Sequence, residues 1–329
     1  MATPHPTQKT VPRTAAEAPA GRVLRADATQ FRRDFNLRSF LFEHSLAGHP
    51  LFAPGRLAEL GERMLVLGEV GRFVSKSGKD NAAHSRISAM PAQERVAATI
   101  EQLREAGAWM KLTGANAVDP EYDTVLQALL RELEELAGVP LREQITWSTL
   151  TVFMASPHIV TPYHIDHESN FLFQVSGSKQ ITLFDAQDRT LLSEGEIEEF
   201  YAGDFEAARF RDGQQARGIE YPLAPGKVVH HPPLAPHWVK NGDEVSISVS
   251  IGFCLQGFDR RARIYQVNHF LRRLGLHPSP PGRSSVADRV KIAGVGLISK
   301  SDPANPEEIL YSGVERLRRW SRFVRGASR

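Results

Sequence analysis

The fold is decided by TPYHIDHESNFLFQVSGSKQITLF, residues 161–184. Its later part, NFLFQVSGSKQITLFD (170–185), reads as two strands about a Ser-Gly-Ser turn. In its first part His164 and Asp166 stand two apart. On a strand, residues i and i+2 project from one face, so this imidazole and carboxylate converge. Working outward, residues 145–154 are rich in β-formers, and 226–231 form another short strand broken by Pro232-Pro233. EVSISVSIGF (244–253) alternates strictly. Val245, Ile247, Val249 and Ile251 take one face, while Ser246, Ser248 and Ser250 take the other. That serine face is either the wet side of a strand or the lining of a polar cavity. Short strands punctuated by Pro and Gly predict a sandwich or barrel rather than a parallel sheet. No GxGxxG or GxxxxGK[ST] nucleotide loop is present.

The flanks read as helix. Asp119-Pro120 is a cap followed by proline at the first helical position. Tyr122, Val125, Leu126, Leu129, Leu130, Leu133 and Leu136 then form one stripe, stopped by Gly138 and Pro140. A second helix is expected after Pro91 through Val96, Ile100 and Leu103, and MLVLGEVGRFV (64–74) reads as a strand. Four parts result: a disordered tail over 1–22, a mainly helical region over 23–145 with room for early barrel strands, a β core over 146–257, and a basic helical region over 258–329. The last part holds 15 Lys/Arg against 6 Asp/Glu, with a final helix expected from Asn305-Pro306.

Composition narrows the classes. The 329 residues are 41% hydrophobic and 24% charged, ordinary globular values that exclude collagen-like and wholly disordered chains. A net charge of +2 makes nucleic acid an unexpected main partner. No apolar run approaches the roughly 18 residues of a membrane span, and no signal-peptide core is seen at the start, so a cytoplasmic protein without a membrane partner is expected. A single cysteine, Cys254, leaves no intrachain disulfide and reads as a small buried residue.

The chemistry rests on three residues. A third ligand for a metal held by His164 and Asp166 must come from a neighbouring strand, and His237 in PPLAPHWVKN is the best candidate. His230 and His231 compete, but they sit on the strand itself, whereas His237 follows the proline turn. His167, adjacent to Asp166, is expected to face the other way, exposed or behind the ligands. Two histidines and one carboxylate compose the facial triad of non-haem Fe(II) oxygenases, with coordination positions left open. Lys179 lies fifteen positions past His164, beside the first ligand strand if the two strands form a hairpin. A lysine in an apolar strand pair needs a counter-charge, which an anionic co-substrate would supply. Thr161, three before His164, is placed to share that anion through its hydroxyl. Asn170 has two readings, strand-edge hydrogen bonding or a place in the site.

In these residues the sequence resembles the Jumonji-C or cupin-like 2-oxoglutarate oxygenases, in particular the branch containing the asparaginyl hydroxylase that acts on hypoxia-inducible factor. That branch carries Thr-Pro-x-His-x-Asp, then Asn-Phe, then Gly-x-Lys. Here Thr161-Pro162-Tyr163-His164-Ile165-Asp166, Asn170-Phe171 and Gly177-Ser178-Lys179 stand in the same register, and Gly226 through Pro232 to His237 is similar to the second ligand motif. The match covers roughly 150–253. The resemblance implies a mainly β double-stranded β-helix (jelly roll) with N-terminal and C-terminal helices. It implies Fe(II) on His164, Asp166 and His237, with 2-oxoglutarate and dioxygen as co-substrates. It makes Lys179 the partner of the distal 2-oxoglutarate carboxylate, assisted by Thr161. The branch also carries an asparagine near the co-substrate on the last strand, where Ser250 stands.

The activity implied is a dioxygenase, most simply a hydroxylase of a polypeptide or small-molecule substrate. Two other readings stand beside it. One is a non-catalytic cupin-like protein that binds a metal or small anion for regulation. The other is a metal enzyme of the isomerase kind that uses no 2-oxoglutarate and gives Lys179 no task. The basic C-terminal helices read as a solvated face, as a homodimer contact, or as a patch for nucleic acid or an acidic partner.

Overall fold

The computed structural model describes residues 21–67, 73–77, 103–104 and 107–298. The residues expected to form the tail before Gly21, the helix after Pro91 and the helix from Asn305-Pro306 lie outside this range, apart from Leu103, which sits buried in a turn.

Strands β1 (Leu24–Arg25), β2 (Phe40–His44), β3 (Phe73–Ser77), β4 (Ala108–Thr113), β5 (Ile145–Ala155), β7 (Ser169–Ser176), β10 (Lys227–His231) and β12 (Ser246–Leu255) form an eight-stranded sheet in the order β1-β2-β10-β7-β12-β5-β4-β3. Strands β6 (Val160–His164), β8 (Lys179–Leu183), β9 (Ile219–Leu223) and β11 (His237–Asn241) form a four-stranded sheet in the order β6-β11-β8-β9. Neighbours pair antiparallel in both. Leu172 and Val229 of the larger sheet pack with Ile181, Leu183 and Leu223 of the smaller, which makes a two-layer sandwich. This is the expected jelly-roll class.

Alternation along the strands assigns the two faces of the larger sheet. Phe171, Phe173 and Val175 of β7 and Ile247, Val249, Ile251 and Phe253 of β12 are buried in one apolar cluster. That cluster also holds Phe31 of helix α1 (Ala28–Asp34), Leu57 and Leu60 of α2 (Pro54–Val66), and the stripe Tyr122 to Leu136. After the single turn α3 (Ala115–Val118), that stripe lies on α4 (Pro120–Ala137), capped by Asp119 and ended by Gly138 at φ 68°, as its sequence predicts. A short turn, α5 (Leu141–Gln144), leads into β5. The greasy face of the sheet therefore meets helices. Its other face, carrying Asn170, Gln174, Ser246, Ser248 and Ser250, turns inward, and all five are buried. Ser248 donates to Gln174 Oε1 at 2.7 Å, and Gln174 Nε2 donates to Ser246 Oγ at 3.0 Å. The serine face is thus an interior polar strip, not a wet surface.

Two readings need correction. Residues 64–66 close helix α2 rather than begin a strand, and β3 starts only at Phe73, because Leu57, Leu60 and Met64 keep helical spacing against the core. The Ser176-Gly177-Ser178 turn does not make a hairpin within one sheet. It carries the chain from the larger sheet to the smaller, so β8 pairs with β11 and β9. Gly177 permits the crossing at φ 65°, where a Cβ would lie 2.4 Å from the Val245 carbonyl oxygen. Lys179 consequently stands one strand removed from β6, with β11 between. Residues 23–145 supply β1–β4 to the large sheet as well as helices, the early strands for which the sequence left room.

After β12 the chain enters α7 (Gln256–Arg273) and then α8 (Ser285–Ile298). With the earlier α6 (Glu194–Tyr201), α7 covers the loop between β6 and β7 through Leu192, Ile197, Tyr201, Ala262 and Tyr265. Among the described residues no helix is long and apolar enough to cross a membrane.

Candidate metal centre

His164 ends β6 and His237 begins β11, and the two are register partners. Their rings lie 4.1 Å apart. Asp166 is not on the strand, since β6 stops at His164. It keeps the inward direction for another reason. Ile165 is buried in the α6/α7 cluster and His167 is buried beyond it, so the two neighbours of Asp166 are both anchored outward. The Asp166 carbonyl oxygen also accepts from Leu234 N at 2.8 Å, which ties the loop to the turn preceding His237. Leu234 holds φ 65°, a conformation strained for a leucine, and its burial among Ile165 and its neighbours offsets that cost.

The three side chains converge. Asp166 Oδ1 is 3.9 Å from His164 Nε2 and Oδ2 is 3.6 Å from His237 Nε2. These are longer than hydrogen bonds and suit donors around an ion with bonds of about 2.0–2.2 Å. Each Nδ1 is engaged elsewhere: that of His164 with the Pro162 carbonyl at 2.7 Å, that of His237 with the Ala235 carbonyl at 3.0 Å. A carbonyl only accepts, so the hydrogen sits on Nδ1 and the Nε2 lone pair is presented to the site, the arrangement that orients metal-binding histidines. Burial pushes His237 down to about 4, so its ring is neutral near pH 7. Burial opposes ionisation of Asp166, yet His164, His237 and Lys111 hold its carboxyl below the usual range. Neutral imidazole and ionised carboxylate are the states a divalent cation binds.

A cavity of about 580 Å³ opens over this group, within the range of about 300–1,000 Å³ usual for small-molecule sites. Lys179, Thr161, Asn170 and Ser250 line it with the three converging residues. Lys179 is 8% exposed, and burial pushes its ammonium down to about 8. Among the described residues it has no carboxylate partner. Ser250 Oγ donates to Asn170 Oδ1 at 2.8 Å, and both are buried. Thr161 is exposed at the cavity wall.

The competing histidines separate cleanly. His230 turns to the helix side, stacks on Phe171 at 4.4 Å between centroids and accepts from Asn36 N at 3.0 Å. It is a satisfied core residue. His231 turns into the cavity beside His237. His167 faces away from the cavity and is buried, the second of its two expected placements. Its Nδ1 meets Tyr201 Oη at 2.8 Å, and its Nε2 meets Cys254 Sγ at 2.9 Å and Asp259 Oδ1 at 3.3 Å. Cys254 is free and buried, as expected. Sequence reasoning missed Glu168 and Lys111, which also line the cavity. Glu168 is pushed up to about 7 by burial and then by Asp166. Its position two past Asp166 was the only available signal, and Lys111 on β4 had none.

A model of the cupin-like domain family matches residues 61–253, more than half of the chain. The chain belongs to the cupin-like domain family. Solved structures similar to this cupin-like chain include Escherichia coli YcfD, at 15% identity and a TM-score of 0.48 over 92% of this chain and 68% of that one. The same Escherichia coli protein, a ribosomal oxygenase, in complex with cobalt and 2-oxoglutarate gives 14% identity and a TM-score of 0.44 over 92% and 67%. A cupin superfamily protein from Desulfitobacterium hafniense gives 11% identity and a TM-score of 0.22 over 33% of this chain and 68% of that one. No curated protein matches the sequence.

Proposed function

We propose that this cupin-like protein is an Fe(II)- and 2-oxoglutarate-dependent dioxygenase that hydroxylates its substrate. One observation carries the reading: a single cavity holds a converging two-histidine, one-carboxylate set and a buried lysine with no counter-charge among the described residues. The first feature asks for a metal and the second for an anion. A dicarboxylic 2-oxo acid answers both. The Thr161-Pro162-x-His164-x-Asp166 register with Lys179 supports the branch of asparaginyl-hydroxylase type.

In this reading His164, Asp166 and His237 hold the iron through two Nε2 atoms and a carboxylate. Bound there, iron(II) supplies dioxygen activation coupled to decarboxylation of 2-oxoglutarate to succinate. The chain does the rest. Lys179 fixes the distal carboxylate by a charge-assisted hydrogen bond, stronger than a neutral one because the pocket is shielded from water. Thr161 offers that carboxylate a hydroxyl. Asn170 and Ser250, already bonded to one another, present polar atoms to the opposite end. Leu172, Phe153 and Val239 line the cavity between and exclude water from the reacting centre.

Incubating the protein with Fe(II), ascorbate and 2-oxoglutarate under air, and measuring succinate, tests the reading. Succinate above a metal-free control is expected, together with an added 16 Da on a lysate protein or metabolite. Binding of iron and 2-oxoglutarate with no succinate under any substrate mixture would favour the regulatory binding protein instead.

A further inference from the structure

Resting on the function proposed above, the structure assigns His231 as a binding residue for the metal-bound end of the 2-oxo acid. His231 is 4% exposed, yet neither ring nitrogen has a hydrogen-bond partner among the described residues. An imidazole that loses water and gains no protein partner is costly unless a ligand completes it. His230, one residue away, has both nitrogens engaged, so the lack of partners is not a general property of this strand.

Position tells which ligand atoms would complete it. His231 pairs across β10 and β7 with Asn170, whose side chain is bonded to Ser250 on the next strand, β12. The three make a polar row across adjacent strands on the cavity side of the larger sheet. The His231 ring lies 4.9 Å from that of His237. Lys179 belongs to the other end: along the β8/β11 pair His237 stands opposite Leu183, whereas Lys179 stands opposite Asn241. A 2-oxo dicarboxylate laid between Lys179 and the His164/Asp166/His237 set therefore brings its oxo-carboxylate end to His231. Among the described residues that set of converging donors contains only the other three, and this imidazole does not join it. A neutral ring offers one N–H to a carboxylate or keto oxygen without setting a second positive charge beside the metal.

The test uses full-length protein with Fe(II) under anaerobic conditions, following the metal-to-ligand charge-transfer band as 2-oxo acid is added. His231→Leu removes both nitrogens at similar volume, and His231→Gln keeps a donor. His231→Leu is expected to weaken 2-oxoglutarate binding about tenfold and to shift the band, with His231→Gln recovering much of the affinity. Iron affinity without co-substrate is expected to stay as in wild type. The same loss is expected with 2-oxobutyrate, which lacks the distal carboxylate, whereas Lys179→Ala should then have no effect. Unchanged affinity in both His231 variants, a loss confined to 2-oxoglutarate, or a loss of iron affinity on its own would each overturn the assignment. Absence of any band from wild-type protein would instead overturn the co-substrate reading, and this inference with it.

Discussion

Two groups lie on either side of the Asp166 loop, one buried and one half-buried, and both combine histidine with a carboxylate. On the outer side His167, Asp259, Cys254 and Tyr201 are bonded to each other at 2.8–3.3 Å, and Asp259 and Tyr201 come from helices that cover the barrel. On the inner side His164, Asp166 and His237 stand 3.6–3.9 Å apart, while among the described residues Lys179 has no carboxylate partner and neither ring nitrogen of His231 has a hydrogen-bond partner. Residue types alone would make both groups metal-site candidates, and both bring three donor atoms within 4.8 Å of one another. Hydrogen bonding separates them. The outer group is closed on itself and fixes the loop; the inner group is left open at a cavity. A buried polar group that nature leaves unpaired is evidence for a ligand, whereas a paired one is evidence for a scaffold.

The largest expected effect breaks the inner group. Asp166→Ala should lower iron affinity by at least a hundredfold with little change in far-UV circular dichroism, since Ile165 and His167 still anchor the loop. Normal iron binding by that variant would dissolve the distinction drawn here. Metal analysis sharpens the same point: one ion per chain is expected, unchanged in Cys254→Ser, and a second thiolate-bound ion would make the outer group a site as well.

Next comes Lys179→Ala. Removing one partner of a buried charge pair costs about 3–5 kcal/mol, and about 1.4 kcal/mol is tenfold, so 2-oxoglutarate affinity should fall by roughly two orders of magnitude or more. Anaerobic titration of the charge-transfer band measures this, and equal affinities would leave Lys179 a mere strand residue.

A smaller effect follows from the Lys179 ammonium, pushed down to about 8 by burial. Below that pH the lysine is charged and 2-oxoglutarate affinity should be level. Above it the free protein loses the proton that the complex requires, so affinity should decline toward tenfold per pH unit, as about 1.36 kcal/mol per unit demands. Affinity rising above pH 8 would contradict the pairing.

The smallest effect on ligand binding is expected from the outer group. His167→Ala leaves Asp259 and the Tyr201 hydroxyl without that partner, which should cost about 1–3 kcal/mol of stability. A lower thermal midpoint with iron affinity within about tenfold of wild type is the expected pair of results. A large loss of iron binding at unchanged stability would show that the outer group is part of the site.

Much of this was legible in one dimension, because some signals are local. The cap at Asp119, the stripe from Tyr122 to Leu136 and the stop at Gly138 need only helical periodicity, and that helix forms where expected. The alternation of EVSISVSIGF defined a strand, and the spacing of His164, Asp166 and Lys179 pointed to one pocket. Other features depend on what packs against what. Which face of β12 is wet could not be read from alternating serine and aliphatic residues, since helices on the outside reverse the usual assignment and bury both faces. That the Ser-Gly-Ser turn joins two sheets rather than two neighbouring strands depends on β11 intervening, 58 positions beyond Lys179 at His237. The partners of His167 and the solitude of His231 are likewise tertiary facts. Adjacent residues on a chain share composition and spacing, but hydrogen-bond satisfaction is settled by groups brought from distant elements, and no local pattern encodes it.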